Sequence, residues 1–243
     1  MKIQVWAYRG ASAYAPENTI PAFEMAVEMH ADAVELEVQL SKDNELVVAH
    51  DETLERVSDG TGAIFDHTLK ELRSLNFNKT HLEFKKVQIP TLEEVYELLR
   101  PTGLIINVEL RTWKVPYPGI EEKVLNSTEQ YGLEDRVIYS SFRHATLRRI
   151  RMMQPEARTG ILYSDGWMGV APYARDTVLS NALHPAKFLI EGKDYVKTAH
   201  QYGLMVHTWL VDSKEEMRTY RDFGVDAIMT KKPDVCRNVV DEI

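Results

Sequence analysis

The chain has 243 residues, of which 44% are hydrophobic and 27% are charged, and this length and composition suit one large globular domain. Its formal net charge of −8 argues against a nucleic-acid partner, which needs a basic face, and against electrostatic docking on anionic membranes. No apolar run approaches the roughly 20 residues of a membrane-spanning helix, and the N-terminus does not read as a secretory signal. With its single cysteine, Cys236, the chain is expected to be cytoplasmic.

Short apolar runs alternate with helical patterns along the whole chain. We predict eight strands, each followed by a helix, which is the arrangement of an α/β fold of the (β/α)8 or TIM-barrel type. The strands are predicted at 3–8, 33–39, 104–110, 136–140, 158–163, 181–185, 204–210 and 225–230. The helices are predicted at 18–30, 91–100, 117–131, 143–153, 170–178, 192–202, 213–223 and 233–242.

One segment interrupts this alternation. Residues 43–90 separate the second strand from the next helix of the barrel, and so long a connection in a compact domain is usually functional. We predict a small insertion that caps the C-terminal mouth of the barrel, within a single domain that spans residues 1–243. Thr91, followed by acidic residues, is predicted to cap the helix after the insertion.

The second strand carries two carboxylates. Glu35 and Glu37 stand two residues apart, so both point to one face, while Val34, Leu36 and Val38 take the other. Such a pair is repulsive unless a cation lies between the two groups, and oxygen ligands suit Mg²⁺, Ca²⁺ or Mn²⁺. The alternative is that one of the two is a surface charge on an irregular strand.

A third carboxylate, Glu109, lies near the end of the apolar strand 104–110, where burial is costly unless the group is paired or bound to a metal. Arg111 shares its face of the strand and could pair with it. The alternative to a metal site is therefore a simple ion pair, either Glu109–Arg111 or Glu35–Arg9.

Two further positions could serve chemistry on a phosphate. His50, followed by Asp51, ends an apolar run and could act as a general acid or base, although a lone histidine is more often a structural hydrogen-bonding group. Arg9, followed by Gly10, ends the first strand and could present a guanidinium fork to a phosphate, although a tight turn explains this pair equally well. The remaining histidines lack comparable neighbours: His30, His67, His81, His144, His184, His200 and His207.

The run AYRGASAYAPENTIPAFEMAVEMHADAVELEVQLSKDNELVVAHDETLERVSDGTG resembles the N-terminal signature of glycerophosphodiester phosphodiesterases. That family has His-Arg-Gly, Pro-Glu-Asn-Thr, an acidic pair on the second strand and then His-Asp. Farther along, VELRTW is similar to its third-ligand strand, IYSSF to the end of its fourth strand, and HTWLVD and GVDAIMTKKPD to its last two strands. The resemblance covers essentially the whole chain.

The resemblance implies a barrel enzyme that uses one divalent cation, Mg²⁺ or Ca²⁺, to cleave a small glycerophosphodiester into glycerol 3-phosphate and an alcohol. It implies a role for each matching position. Glu35, Glu37 and Glu109 match the metal ligands; Arg9 and Arg111 match phosphate-contacting positions; His50 matches one of two catalytic histidines; and Trp209 matches an aromatic residue on the glycerol side.

Three site positions depart from the family pattern. Tyr8 stands where the family has its first catalytic histidine, Glu37 stands where aspartate is usual, and Arg111 stands where lysine is usual. A phenol is almost never a base at neutral pH, so we expect Tyr8 to impair turnover while substrate and metal binding persist. The preferred alcohol and the oligomeric state are not readable from the sequence.

Two other functions are compatible with the same residues. The first is a catalytically silent barrel that binds a phosphodiester without cleaving it. The second is a lipid-directed phospholipase D of the same superfamily, which requires an apolar rim around the mouth. The candidates for that rim, for which we favour a packing role instead, are Trp113, Val115, Tyr117, Trp167, Met168 and Val170.

Overall fold

The protein is described by a computed structural model for residues 2–242, and a sheet closed on itself forms its centre. The strands of this sheet are β1 (Gln4–Tyr8), β2 (Ala33–Leu40), β3 (Leu46–Val48), β4 (Ile105–Leu110), β5 (Val137–Ser141), β6 (Arg158–Tyr163), β7 (Ala182–Pro185), β8 (Met205–Thr208) and β9 (Ala227–Thr230). Their order is β1-β9-β8-β7-β6-β5-β4-β2-β3, and a further β1–β2 pairing closes the ring. Only β3 runs antiparallel, against β2, so the predicted eight-stranded parallel barrel is confirmed.

The helices lie between the strands in sequence. They are α1 (Ile20–Glu28), α2 (Leu69–Leu72), α3 (Leu92–Leu99), α4 (Ile120–Tyr131), α5 (His144–Met153), α6 (Val170–Pro172), α7 (Lys193–Gln201), α8 (Lys214–Phe223) and α9 (Pro233–Val240). The helix predicted at 170–178 is present in two parts, because α6 continues as a π-helix over Tyr173–Val178. Within residues 2–242, no helix is long and apolar enough to cross a membrane.

The alternation in β2 explains how one strand serves both the core and the site. Val34, Leu36 and Val38 are fully buried in the core that also contains residues from the surrounding helices. Burying each of these side chains contributes roughly 1.5–3 kcal/mol. The residues between them therefore face the inside of the barrel, as the sequence predicts.

Below the mouth, the barrel interior contains a pair of histidines. His207 Nδ1 lies 2.9 Å from His184 Nε2, and the indole of Trp6 packs against both rings. Gly160 makes room for this pair, since a Cβ there would overlap the His184 ring. The outer nitrogens, His184 Nδ1 and His207 Nε2, have no hydrogen-bond partner among the described residues. Burial lowers the pKa of His207 to about 4 and holds that of His184 well below its usual value, so both rings are neutral.

The 43–90 insertion has secondary structure and a core of its own. It contains β3, a 3-10 turn at Ile64–Asp66 and α2, and its buried apolar cluster includes Leu54, Ile64, Leu72 and Phe77. A capping box follows it, in which Thr91 Oγ1 accepts from the Glu94 amide and the Glu94 carboxylate accepts from the Thr91 amide. The predicted cap at Thr91 is confirmed.

Candidate active site

Three buried carboxylates meet at the C-terminal end of the barrel. Glu37 in β2 and Glu109 in β4 are partners across the sheet, and Glu35 stands two residues before Glu37 on the same strand. One carboxylate oxygen from each residue lies within 4.8 Å of those from the other two. The three side chains predicted as metal ligands therefore converge on one point, which we call the carboxylate triad.

The triad carries more negative charge than its surroundings balance. Burial raises the pKa of Glu35 well above its usual value, and the neighbouring Glu37 raises it further. Burial also raises the pKa of Glu109, although the Arg111 guanidinium acts against this. Each shift means that the ionised carboxylate is disfavoured in the site as it stands, and a bound cation would relieve that cost.

Arg9 connects the triad to the first strand of the barrel. Its backbone N–H donates to Glu35 Oε2 at 2.9 Å, and its Nε donates to Glu37 Oε1 at 2.8 Å. Its other two nitrogens donate to Glu17 Oε1 at 2.9 Å and to the Tyr8 hydroxyl at 2.6 Å. The ion pair considered between the side chains of Glu35 and Arg9 is therefore wrong. The Arg9 guanidinium pairs with Glu37 and Glu17 instead.

The loop after β1 is shaped by Gly10 and Asn18. Gly10 has φ 77°, and a Cβ there would lie 2.7 Å from the backbone of Ala22, so the close approach of α1 to this turn requires glycine. Asn18 donates its backbone N–H to the Arg9 carbonyl at 3.0 Å and its side-chain amide to Glu37 Oε2 at 2.5 Å. Asn18 is a site residue that sequence reasoning missed, although it lies within the quoted Pro-Glu-Asn-Thr motif.

Arg111 occupies the other side of the triad. It donates to Glu109 Oε1 at 2.7 Å and more weakly to Glu52 Oε1 at 3.4 Å, so the ion pair considered for Glu109 is present. Its Nε has no partner among the residues that the structure describes. Lys114 donates to Glu52 Oε2 at 3.0 Å. Neither Glu52 nor Lys114 was predicted, because their sequence neighbourhoods carry no pattern.

His50 is held by the insertion. Its Nδ1 lies 2.5 Å from Asp51 Oδ1, and Asp51 Oδ2 accepts from Arg56 Nε at 2.5 Å. Arg56 also makes two hydrogen bonds to Glu17, at 2.8 and 2.7 Å. Burial would raise the pKa of Glu17, but Arg56 and Arg9 together lower it to about 2. Asp51, Arg56 and Glu17 therefore link His50 to Arg9 through side chains of alternating charge. Because the Asp51 carboxylate contacts Nδ1, the Nε2 atom of the imidazole is left for proton transfer.

These groups surround a cavity of about 500 Å³. Its polar wall includes Tyr8 and His50, together with the triad residues Glu35 and Glu109. Its apolar wall includes Trp209, whose Nε1 donates to the His184 carbonyl at 2.9 Å and whose ring meets that of Phe142 edge to face, with centroids 5.7 Å apart. Phe142 directly follows β5, and this position at a strand end is a signal that could have identified it.

A larger groove of about 930 Å³ lies between α6 and α7, where Tyr195 and Tyr202 are among its lining residues. It includes no residue of the triad, and it lies in the helical layer outside the barrel. Because active sites of this fold form at the C-terminal ends of the strands, the smaller cavity is the candidate active site.

The residues considered for an apolar rim divide into two groups. Trp113 and Met168 are exposed, and Met168 retains 98% of its accessible surface, so the packing role favoured for these two is wrong. Trp167 is 40% exposed but packs against Tyr163 and Tyr173, and Val115 and Val170 pack against the main core, as predicted. Tyr117 is buried, as predicted, and donates its hydroxyl proton to Gln39.

Comparisons with known proteins agree with this geometry. The sequence model of the Glycerophosphoryl diester phosphodiesterase family matches residues 9–235. A glycerophosphodiester phosphodiesterase from Caldanaerobacter subterraneus subsp. tengcongensis is 41% identical over 99% of this chain and 98% of its own length. One from Bacillus altitudinis is 35% identical over 99% of both chains.

Solved structures give the same result. A phosphodiesterase from Oleispira antarctica, determined in complex with the product sn-glycerol-3-phosphate, superposes with a TM-score of 0.88 at 26% identity, covering 98% of this chain and 97% of that one. A glycerophosphodiester phosphodiesterase from Thermotoga maritima superposes with a TM-score of 0.79 at 27% identity, covering 98% and 99%. The chain therefore belongs to the glycerophosphoryl diester phosphodiesterase family of enzymes.

Proposed function

We propose that this chain is a divalent-metal-dependent glycerophosphodiester phosphodiesterase that releases glycerol 3-phosphate and an alcohol. The observation that carries the proposal is the convergence of Glu35, Glu37 and Glu109 on one point of a cavity that Arg111 and His50 also line. The names of the relatives and the product bound to the Oleispira antarctica protein support this substrate class.

The triad fits a single hard cation such as Mg²⁺ or Ca²⁺. All of its donor atoms are carboxylate oxygens, which these ions prefer, and the two nearby guanidinium groups are shared with Glu17 and Glu52. When bound, the cation would polarise the phosphoryl group and offset its negative charge. The choice between the two ions depends on ligand number and rigidity.

The remaining groups would bind and orient the substrate. Arg111 lines the cavity, and its Nε has no partner among residues 2–242, so it can donate to a phosphate oxygen. Arg9 holds Glu37 in place and is the second candidate phosphate contact. Trp209 offers an apolar wall to the carbon skeleton of the substrate. His50 would exchange a proton with the attacking or departing oxygen through Nε2. The insertion contributes His50 and Glu52 to the site, which supports our proposal that residues 1–243 act as one domain.

Tyr8 limits this chemistry. Burial raises the pKa of its phenol well above the usual value, although Arg9 acts in the opposite direction. The hydroxyl also accepts a hydrogen bond from Arg9. It therefore remains protonated and can donate a hydrogen bond, but it cannot take up a proton as a base. Because general acid–base catalysis contributes about 10²–10⁴-fold, we propose that Tyr8 in place of a histidine slows turnover while binding persists.

The test compares the wild-type protein with Tyr8→His and a matched control, Tyr8→Phe. Release of glycerol 3-phosphate from a glycerophosphodiester is measured with added Mg²⁺ or Ca²⁺, and binding of the same compound is measured by calorimetry. We expect Tyr8→His to be faster by at least about tenfold and Tyr8→Phe to be no faster than wild type.

Two outcomes would contradict the proposal. If the wild-type protein already turns over rapidly and Tyr8→His gains nothing, the slowing assigned to Tyr8 is wrong. If all three proteins bind the phosphodiester tightly and none cleaves it, the chain is instead a catalytically silent binding barrel.

A further inference from the structure

Gln39 is a buried polar side chain that the proposed chemistry does not use. It follows Glu35 and Glu37 in the inward-facing alternation of β2, and its exposed fraction is 0%. An amide in such a position must find hydrogen-bond partners within the protein, because a buried donor or acceptor without a partner destabilises the fold.

The partners of this amide lie in the segment that carries His50. The two N–H groups of Gln39 Nε2 are shared among the carbonyl oxygens of three consecutive residues: Ala49 at 2.9 Å, His50 at 3.3 Å and Asp51 at 2.7 Å. Its Oε1 accepts from the Tyr117 hydroxyl at 2.9 Å. Since backbone carbonyls only accept, these contacts fix which end of the amide faces the segment.

These contacts begin where the regular pairing of the sheet ends. Val47 is the partner of Gln39 in the β2–β3 ladder, and the Ala49 N–H still donates to the Glu37 carbonyl at 2.9 Å. Beyond that point, hydrogen bonds from the side chain of Gln39 replace the backbone pairing, and the carbonyls of residues 49–51 all face its amide group. The ring of His50 is held separately, by Asp51, so backbone and ring have different supports.

We infer that Gln39 is a positioning residue for His50: it sets the course of the backbone so that the imidazole faces the cavity. The inference rests on the proposed function, in which His50 transfers a proton. If Gln39 only satisfied buried carbonyls, it would still stabilise the fold, but its removal would not lower turnover through His50. The two roles therefore differ in how a change at Gln39 combines with a change at His50.

The experiment uses Gln39→Met, which keeps the length of the side chain but removes both its donor and its acceptor, and Tyr117→Phe, which removes only the hydrogen bond to the amide oxygen. Hydrogen–deuterium exchange of peptides covering residues 46–57 reports on the backbone without reference to turnover. Release of glycerol 3-phosphate is then measured for each variant, alone and combined with His50→Ala.

We expect Gln39→Met to exchange faster in this segment alone and to lose about tenfold to hundredfold in kcat, because small displacements of a catalytic group carry costs of this size. The KM and the affinity for Mg²⁺ should stay close to the wild-type values. Tyr117→Phe should show the same changes to a smaller extent. Adding Gln39→Met to His50→Ala should cause no further loss of turnover.

Unchanged exchange in Gln39→Met would overturn the inference, and so would the same fold-loss of turnover in the His50→Ala background as in the wild type. An inactive wild-type protein would count against the proposed function alone. In that case faster exchange confined to this segment would still support the placement of His50 by Gln39, and unchanged exchange would still refute it.

Discussion

The buried histidines inside the barrel make the stability of this protein depend on pH. The exposed fractions of His184 and His207 are 0% and 1%, and burial lowers the pKa of His207 from 6.5 to about 4. The perturbation we consider is His207→Gln, which removes the titrating group but retains a polar side chain inside the barrel.

The sign and the size of the His207 contribution to stability follow from the difference between its pKa values in the folded and unfolded states. Because the folded value lies below the unfolded one, the unfolded chain binds the proton first as the pH falls. The stability is therefore complete above about pH 6.5 and declines as the pH falls toward 4, the folded value of His207. One pKa unit corresponds to about 1.36 kcal/mol, so His207 should cost roughly 2 kcal/mol at about pH 5. His184 acts in the same direction, since its pKa is also lowered.

The assay is urea unfolding of both proteins at about pH 7.5 and about pH 5. Glu35 has a raised pKa, so acid stabilises the folded protein through this group, and its contribution is common to both proteins. We expect the free energy of unfolding of the wild type to fall by about 2 kcal/mol more than that of His207→Gln over this interval. Equal losses in the two proteins would show that His207 does not contribute to the pH dependence of stability.

Two further changes test neighbouring features. Gly160→Ala should destabilise the fold by about 1–3 kcal/mol through overlap with the His184 ring. Gly192→Ala should cost little, because no atom of the described residues lies within 4 Å of a Cβ there, and similar losses of unfolding free energy in urea for both variants would contradict this. Arg56→Met should cost about 1 kcal/mol at neutral pH. The cost should be smaller near pH 2, where Glu17, with its pKa of about 2, loses its charge while the bond to Asp51, whose pKa is also held low, remains; a loss independent of pH would contradict the Arg56–Glu17 pair.

The barrel could be predicted because local rules and the global fold agree. Val34, Leu36 and Val38 alternate with Glu35 and Glu37, and this pattern both specifies a strand and assigns its two faces. To predict that Glu109 converges with this pair, the register between β2 and β4 must also be known, because it pairs Glu37 with Glu109. The sequence indicates this register only indirectly, because a closed barrel brings the C-terminal ends of its strands together.

The supporting residues could not be predicted in the same way. His184 and His207 lie on different strands, and neither sequence neighbourhood shows that the rings meet inside the barrel. Arg56 and Glu17 are 39 positions apart, and their pairing depends on the course of the insertion, which has no periodic pattern. The charges around a site are set by such distant contacts, which strand and helix patterns do not encode.

Calorimetric titration of Mg²⁺ and Ca²⁺ into chelator-treated protein tests most directly whether the triad binds a cation. We expect one binding site per chain for at least one of these ions in the wild type, loss of that site in Glu37→Gln and in Glu109→Gln, and its retention in Glu52→Gln, which lies outside the triad. Absence of binding in the wild type, or binding that survives in both Glu37→Gln and Glu109→Gln, would contradict this expectation.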